Sequence, residues 1–419
     1  MAYAREKKNA LLKIYTAQGV WYTLENWSRL IFPFIQWDLK PRVTMFQIGL
    51  INGLGNAFVL LGTFLVGHLL DVIGTKMTAA LVAVVTGIYA VAVSQVQSYV
   101  ACMLLQCLKI LSCFPMVAES FVAVVVTGGG GGAKEHDTDE RERARAILGL
   151  SLPMGIGLVL GPWLGAYSFS FLAADLKFSH MAVGIFMILL LLPIILFLLP
   201  EPRSSEISAT TKVPAFSSYI DLLRQPALRW ALLLRLFVDA PYQAYDQMIR
   251  QHLTIYVVSE PGDLSFLLAM VGVGTLVTNL FLIRPLQSRL SPKRLLQLSL
   301  FMLVFVYIAL KNVYDQWVLL FAMPLQIIGV SVVQAELTAQ VIGAATRRDV
   351  GKAVSFSQGI QMGCAALMPT LAGYFINEYE FEPVCYMCAA ISALGLLACQ
   401  LVGDSLSSSS RFVLPGYTR

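Results

Sequence analysis

Apolar runs of membrane-spanning length recur along the chain, each closed by a short stretch of charge, Gly or Pro. About twenty residues of helix cross the hydrocarbon core of a bilayer. The runs predict helices over about 11–35 (α1), 45–70 (α2), 77–96 (α3), 99–126 (α4), 146–168 (α5) and 179–200 (α6). After a long polar connection come 227–251 (α7), 263–283 (α8), 295–311 (α9), 317–344 (α10), 353–377 (α11) and 382–402 (α12). Helices α1 and α7 are unusually polar.

Composition agrees with a polytopic membrane protein. The chain is 57% hydrophobic and 13% charged, with a mean hydropathy of +0.70. A soluble domain has too little core to hide that much apolar surface. The net charge of +5 does not indicate nucleic acid, because the basic residues sit in short connections. The seven Cys fall in apolar stretches, where buried thiols are the ordinary outcome. Even Cys385-x-x-Cys388 lies in a predicted span, so neither a metal site nor a cofactor is expected. The N-terminal run carries Lys13 and no small-residue cleavage site, so no cleaved signal peptide is expected.

The connections orient the chain. Twenty-two Lys and Arg fall on the side of the termini and even-numbered connections, against Lys40, Arg42, Lys177 and Lys311 on the other. That bias places both termini in the cytoplasm. Four regions follow: a six-helix half over 1–200, a cytoplasmic linker over 201–225, a second half over 226–402 and a disordered tail over 403–419. Gly128 to Gly132 and the charges from Lys134 to Arg145 form a solvated loop.

Three motifs carry more than hydropathy. Between α2 and α3, Gly67-x-Leu69-x-Asp71-x-x-Gly74-x-Lys76 reads as a tight charged turn, with Gly74 free to take positive φ. In α5, Gly157-x-x-x-Gly161-Pro162-x-x-Gly165 offers close helix approach and a bend. Gly161-Pro162-Trp163-Leu164-Gly165-Ala166-Tyr167 in α5 also compares with Met368-Pro369-Thr370-Leu371-Ala372-Gly373-Tyr374 in α11, sharing Pro, Leu and Tyr at one offset. Repeated halves are a transporter signature, with substrate held between them.

The α2–α3 motif resembles the loop motif of the major facilitator superfamily, with Val72 where that family has Arg. The α5 motif resembles that of its drug:proton antiporter branch, with Ala166 in place of the last Gly. Within that branch the chain looks most like organic-cation-transporter-like carriers. The resemblance spans about residues 10–402. It implies two pseudo-symmetric six-helix bundles that rock about a central cavity lined by α1, α4, α7 and α10.

Hydropathy alone finds charges at membrane depth on those four helices. They are Glu25 and Arg29 in α1, Lys109 and Glu119 in α4, Arg235, Asp239 and Asp246 in α7, and Glu336 in α10. Arg250 is borderline. Such groups are costly in hydrocarbon, so they face a cavity or a partner. Gln18, Tyr22, Glu25 and Arg29 share one helix face, as do Arg235, Asp239, Tyr242 and Asp246. Glu25–Arg29 and Arg235–Asp239 are spaced to pair, whereas Asp246 and Glu336 have no obvious local partner. Five acids against three bases, with Tyr22, Tyr242 and Tyr245 nearby, suit a cation.

The expected function is therefore proton-coupled antiport of an organic cation or lipophilic drug-like solute, with Asp239 or Glu25 carrying the proton. A facilitative or symport carrier of another metabolite, or a non-transporting adaptor or sensor of the same fold, is the alternative. The expected partners are a small solute, H+ and the lipid bilayer of the plasma membrane or an organelle. The chain is expected to be a monomer and not an enzyme. No G-x-x-x-x-G-K-[ST] loop occurs, so ATP-driven pumping has no support in the sequence.

Overall fold

The computed structural model describes residues 2–127, 149–171, 175–199, 224–256, 261–312, 314–344 and 350–401. The glycine-rich loop, most of the central linker and the tail expected from the sequence lie outside the described residues. Among those described, every extended element is helical. Nine of the described helices are long and apolar enough to cross a membrane. The polar helices α1 and α7 and the glycine-rich α5 complete the set of twelve.

The long helices are Ala2–Trp37 (α1), Met45–Ile73 (α2), Thr75–Ser94 (α3), Ser151–Phe171 (α5), Pro226–Tyr256 (α7), Pro292–Ala309 (α9), Gln316–Ala344 (α10), Val350–Tyr379 (α11) and Glu382–Leu401 (α12). Local sequence sets several starts. Thr44 and Gln47 exchange side-chain and backbone hydrogen bonds at the start of α2, a capping box. Asp315 accepts from the backbone N–H groups of Trp317 and Val318 at the start of α10. Ser291 caps α9, and Pro292 occupies its first turn, where no N–H is needed.

Three helices are less regular than hydropathy suggests. Helix α4 is Tyr99–Leu105, tightens to a 3-10 segment over Gln106–Leu111, breaks at Ser112 and Cys113, and resumes as Phe114–Thr127. Helix α6 starts as Leu176–Phe186 and contains π segments at Met187–Leu191 and Ile194–Leu198. Helix α8 is Pro261–Val277, a π segment Thr278–Leu282, and Ile283–Arg289.

The expected tight turn after α2 is shorter than its motif. Gly67 to Ile73 continue the helix, and the reversal falls on Gly74 alone, at φ 81 and ψ 168. Lys76 lies half-buried in the first turn of α3. The side chain of Asp71 lies outside the described residues.

The chain divides into two compact units. One comprises Met1–Val43, Leu54–Ala209 and Leu253–Leu276, and the other Thr44–Gly53, Thr210–His252 and Val277–Arg419. The start of α2 therefore groups with the second unit, and most of α8 with the first.

Within the first unit, α1 and α5 form the most extensive helix pair, and small residues set their approach. A Cβ on Gly161 would lie 2.6 Å from the Thr23 carbonyl oxygen and 2.9 Å from the Trp27 nitrogen. One on Gly157 would lie 2.8 Å from the Thr23 nitrogen, and one on Gly165 2.8 Å from Leu30. Backbones can approach this closely only where a Cβ is missing, which is how helices associate without a hydrophobic driving force in lipid.

The proline helices α5 and α11 are met alike. Ser265 of α8 donates to the Pro162 carbonyl at 2.8 Å in the first unit. In the second, Gly49 of α2 packs against the Pro369 carbonyl, and Thr370 donates to the Gly49 carbonyl at 3.3 Å. The sequence repeat is thus matched by a repeat in packing.

Candidate functional site

The intramembrane charges form one set in each unit. In the first unit, α1 presents Glu25 between two donors. Trp21 Nε1 donates to its Oε2 at 3.0 Å, and Arg29 donates to its Oε1 at 2.6 Å. This pair is only partly shielded, with Arg29 46% and Glu25 28% exposed. Trp21 stacks on Phe114 at 4.9 Å, tying α1 to the lower piece of α4. Tyr22 is half-buried. Gln18 is buried, and its Oε1 has no hydrogen-bond partner among the described residues.

Helix α4 brings Lys109 to the same unit on its 3-10 segment. The ammonium lies 5.3 Å from the ring centroids of both Phe32 and Tyr89. Neighbouring Gln106 is buried. It donates to the Cys102 carbonyl at 3.0 Å and accepts from the Tyr89 hydroxyl at 3.2 Å. A Cβ on Gly55 of α2 would come within 3.2 Å of Lys109 Nζ, so glycine clears space for the amine. Gly62 packs on the Ile110 carbonyl beside the break. Glu119, past the break, is exposed.

The second unit holds the most enclosed charges. Arg235 Nε donates to Asp239 Oδ2 at 3.0 Å, with side-chain exposures of 5% and 0%. The other guanidinium nitrogens donate to Thr338 of α10 at 3.0 Å and Gln361 of α11 at 3.2 Å. Gln334 Nε2 donates to Asp239 Oδ1 at 2.7 Å. Both oxygens of the acid and three nitrogens of the base are therefore engaged, the condition under which a buried pair is tolerated.

Two expectations about partners are corrected. Asp246 does have one: Arg250, a turn later, donates to its carboxylate. Glu336 has two, and both are amides. Gln287 donates to Oε2 at 3.2 Å and Gln340 to Oε1 at 3.3 Å. Glu336 is buried and makes no ion pair among the described residues. Helical spacing points only to partners within a turn, whereas Gln287 comes from α8. Tyr242 is half-buried. Tyr245, expected among the cavity aromatics, is instead fully buried, edge-on to Tyr307 and Phe381.

Several partners of these charges escape a reading by hydropathy: Trp21, Gln106, Gln287, Gln334, Thr338 and Gln361. Some do leave a signal. Gln334 and Thr338, like Glu336 and Gln340, are polar residues one turn apart in an otherwise apolar helix. A further polar seam binds α1 to α6. Trp27 Nε1 donates to Ser179 Oγ at 3.1 Å, and Ser28 hydrogen-bonds the His180 ring at 2.9 Å. Among the described residues, no group of three His, Cys, Asp or Glu could hold a metal ion.

Residues 244–409, less than half of the chain, match the family model of the Major Facilitator Superfamily. No curated protein matches the sequence. Among solved structures, the chain is similar to the nucleoside transporter NupG, with 12% identity and a TM-score of 0.71 over 94% of this chain and 99% of that one. It is similar to the human organic anion transporter MFSD10 (TETRAN), with 14% identity and a TM-score of 0.66 over 94% and 99%. It is also similar to a bacterial homologue of the human lysosomal transporter Spinster, inward-facing and occupied, with 15% identity and a TM-score of 0.71 over 95% and 97%. The chain has the major facilitator fold and is an integral, multi-pass membrane protein.

Proposed function

We propose that this chain is a secondary carrier that moves a small organic solute by alternating access, driven by exchange with protons. The observation that carries the proton-coupled reading is Glu336, a buried carboxylate held by two amides and, among the described residues, by no cation. Protonating Glu336 breaks no ion pair. Protonating Asp239 would leave the Arg235 guanidinium buried without its counter-charge, which is costly. Protonating Glu25 would also break an ion pair, with Arg29, at a smaller cost because that pair is partly exposed. Glu336 therefore replaces Asp239 and Glu25 as the favoured proton carrier.

The α5–α8 seam at Pro162 and the α2–α11 seam at Pro369 are where we expect packing to change during the cycle. Both join helices through small residues and single side-chain hydrogen bonds.

The pairing of these charges bears on the charge of the solute. The organic-cation expectation rests on five acids against three bases. Arg250 pairs with Asp246 and raises the bases to four, while Glu25 and Asp239 are also bridged. The acid excess therefore falls to five against four, too small a margin to argue for a cation. Neighbours of this fold include carriers of nucleosides and of organic anions. A facilitative or symport carrier, or an adaptor that has lost transport, stays separable by experiment. Purified protein in liposomes should accumulate its solute against a concentration gradient when a pH gradient is imposed. Flux indifferent to pH would mean facilitation, and no flux of any solute would support the adaptor.

A further inference from the structure

We infer that Lys109 is the docking point for an oxyanion, a carboxylate or phosphate group, on the transported organic solute. The inference rests on the carrier reading above and specifies the solute's chemistry.

The ammonium is at membrane depth and makes no hydrogen bond or ion pair among the described residues. It is nonetheless not sealed off, since the side chain is only half-buried and Nζ is not among the enclosed atoms that lack a partner. What holds it is two aromatic faces, Phe32 of α1 and Tyr89 of α3, each 5.3 Å away. Such faces replace part of an ammonium's hydration but leave its charge uncompensated.

The nearby charges do not compensate it either. Arg29 and Glu25 are the side chains of fixed charge whose fields reach Lys109. Both oxygens of Glu25 are occupied, one by Arg29 and one by Trp21. Glu25, Arg29 and Lys109 together thus leave one positive charge over. An unpaired cation at this depth is expensive. A fixed counter-ion would have removed the cost permanently, and this site has none among the described residues. A counter-ion that arrives with the solute would remove it only in the loaded state.

Local backbone supports the same reading. Lys109 sits on the 3-10 segment that ends at the Ser112–Cys113 break, so α4 is discontinuous beside the amine. Gly55 lets α2 pack against the Lys109 side chain, since a Cβ there would lie 3.2 Å from Nζ. Interrupted helices that line a cavity are a recurrent way to hold charged solutes in carriers.

The test uses the full chain in detergent and in liposomes, with benzoate against benzamide and phenyl phosphate against phenol. We expect the anion of each pair to raise Tm and to be carried at least tenfold faster than its neutral partner. Lys109→Gln should abolish that preference, and Lys109→Arg should keep part of it. If Lys109→Gln does not fold, the wild-type comparison of each anion with its neutral partner still decides. Equal handling of anion and neutral partner, or preference for organic cations, would overturn the inference while the carrier reading stands. An anion-specific Tm shift without any flux would uphold the site and defeat the carrier. Neither shift nor flux for any compound would defeat both. Repeating the Tm assay in vesicles with and without phosphatidylglycerol separates solute from lipid. A benzoate shift abolished by the anionic lipid would assign Lys109 to a headgroup and overturn the inference.

Discussion

Arg235 and Asp239 lie one turn apart on α7, with Nε 3.0 Å from Oδ2 and both side chains enclosed. Thr338 and Gln361 engage the other two guanidinium nitrogens, and Gln334 the other carboxylate oxygen, from α10 and α11. Removing one partner leaves the other charge uncompensated, a loss of about 3–5 kcal/mol for a buried pair. Asp239→Asn and Arg235→Met should therefore each lower Tm sharply in detergent. The double variant Arg235→Met/Asp239→Leu should recover much of that loss, because it removes both charges. A double variant as unstable as the sum of the singles would show that the charges act separately.

The seam between α1 and α5 can be tested at Gly161. The atoms a Cβ would strike there include the Thr23 carbonyl oxygen and the Trp27 nitrogen, which cannot rotate away. Gly161→Val should cost at least the roughly 1–3 kcal/mol typical of overpacking and reduce the yield of monodisperse protein. Gly363→Ala is the control, since nothing lies within 4 Å of its Cβ position. Equal yield and Tm for the two variants would contradict close backbone contact at Gly161.

Gly74 tests backbone conformation in isolation. At φ 81 and ψ 168 it occupies a region essentially restricted to glycine, and nothing surrounds the Cβ position. Gly74→Ala should cost about 1–3 kcal/mol through the backbone alone. Gly74→Asn should be no better, because the tolerance of Asn is for left-handed helical geometry, where ψ is far smaller. Full rescue by Asn would mean that the turn is an ordinary left-handed one.

Much of the fold is legible in the sequence because bilayer thickness fixes helix length, and a charge in an apolar run is conspicuous. Glu25, Arg29, Arg235 and Asp239 stand out that way, and their i, i+4 spacing gives the pairing. Partners from other helices are not legible. Gln334, Gln361 and Gln287 reach their acids or bases through tertiary packing, which no local period encodes. The break in α4 is not predicted, although Pro115 lies just past it, inside the expected span. Proline alone is ambiguous, because Pro33, Pro162, Pro241, Pro324 and Pro369 all sit within continuous helices. The α2–α3 motif suggests a longer turn than the one observed, since its apolar Leu69, Leu70, Val72 and Ile73 simply extend the helix.

The most direct test of proton coupling is accumulation in liposomes under an imposed pH gradient, comparing wild type with Glu336→Gln. The amide keeps the size of the side chain and removes its acidic proton. Glu336→Gln should lose uphill accumulation at least tenfold while still exchanging labelled for unlabelled solute across the membrane at equal pH. Accumulation by Glu336→Gln at the wild-type level would contradict the assignment of the coupled proton to this carboxylate.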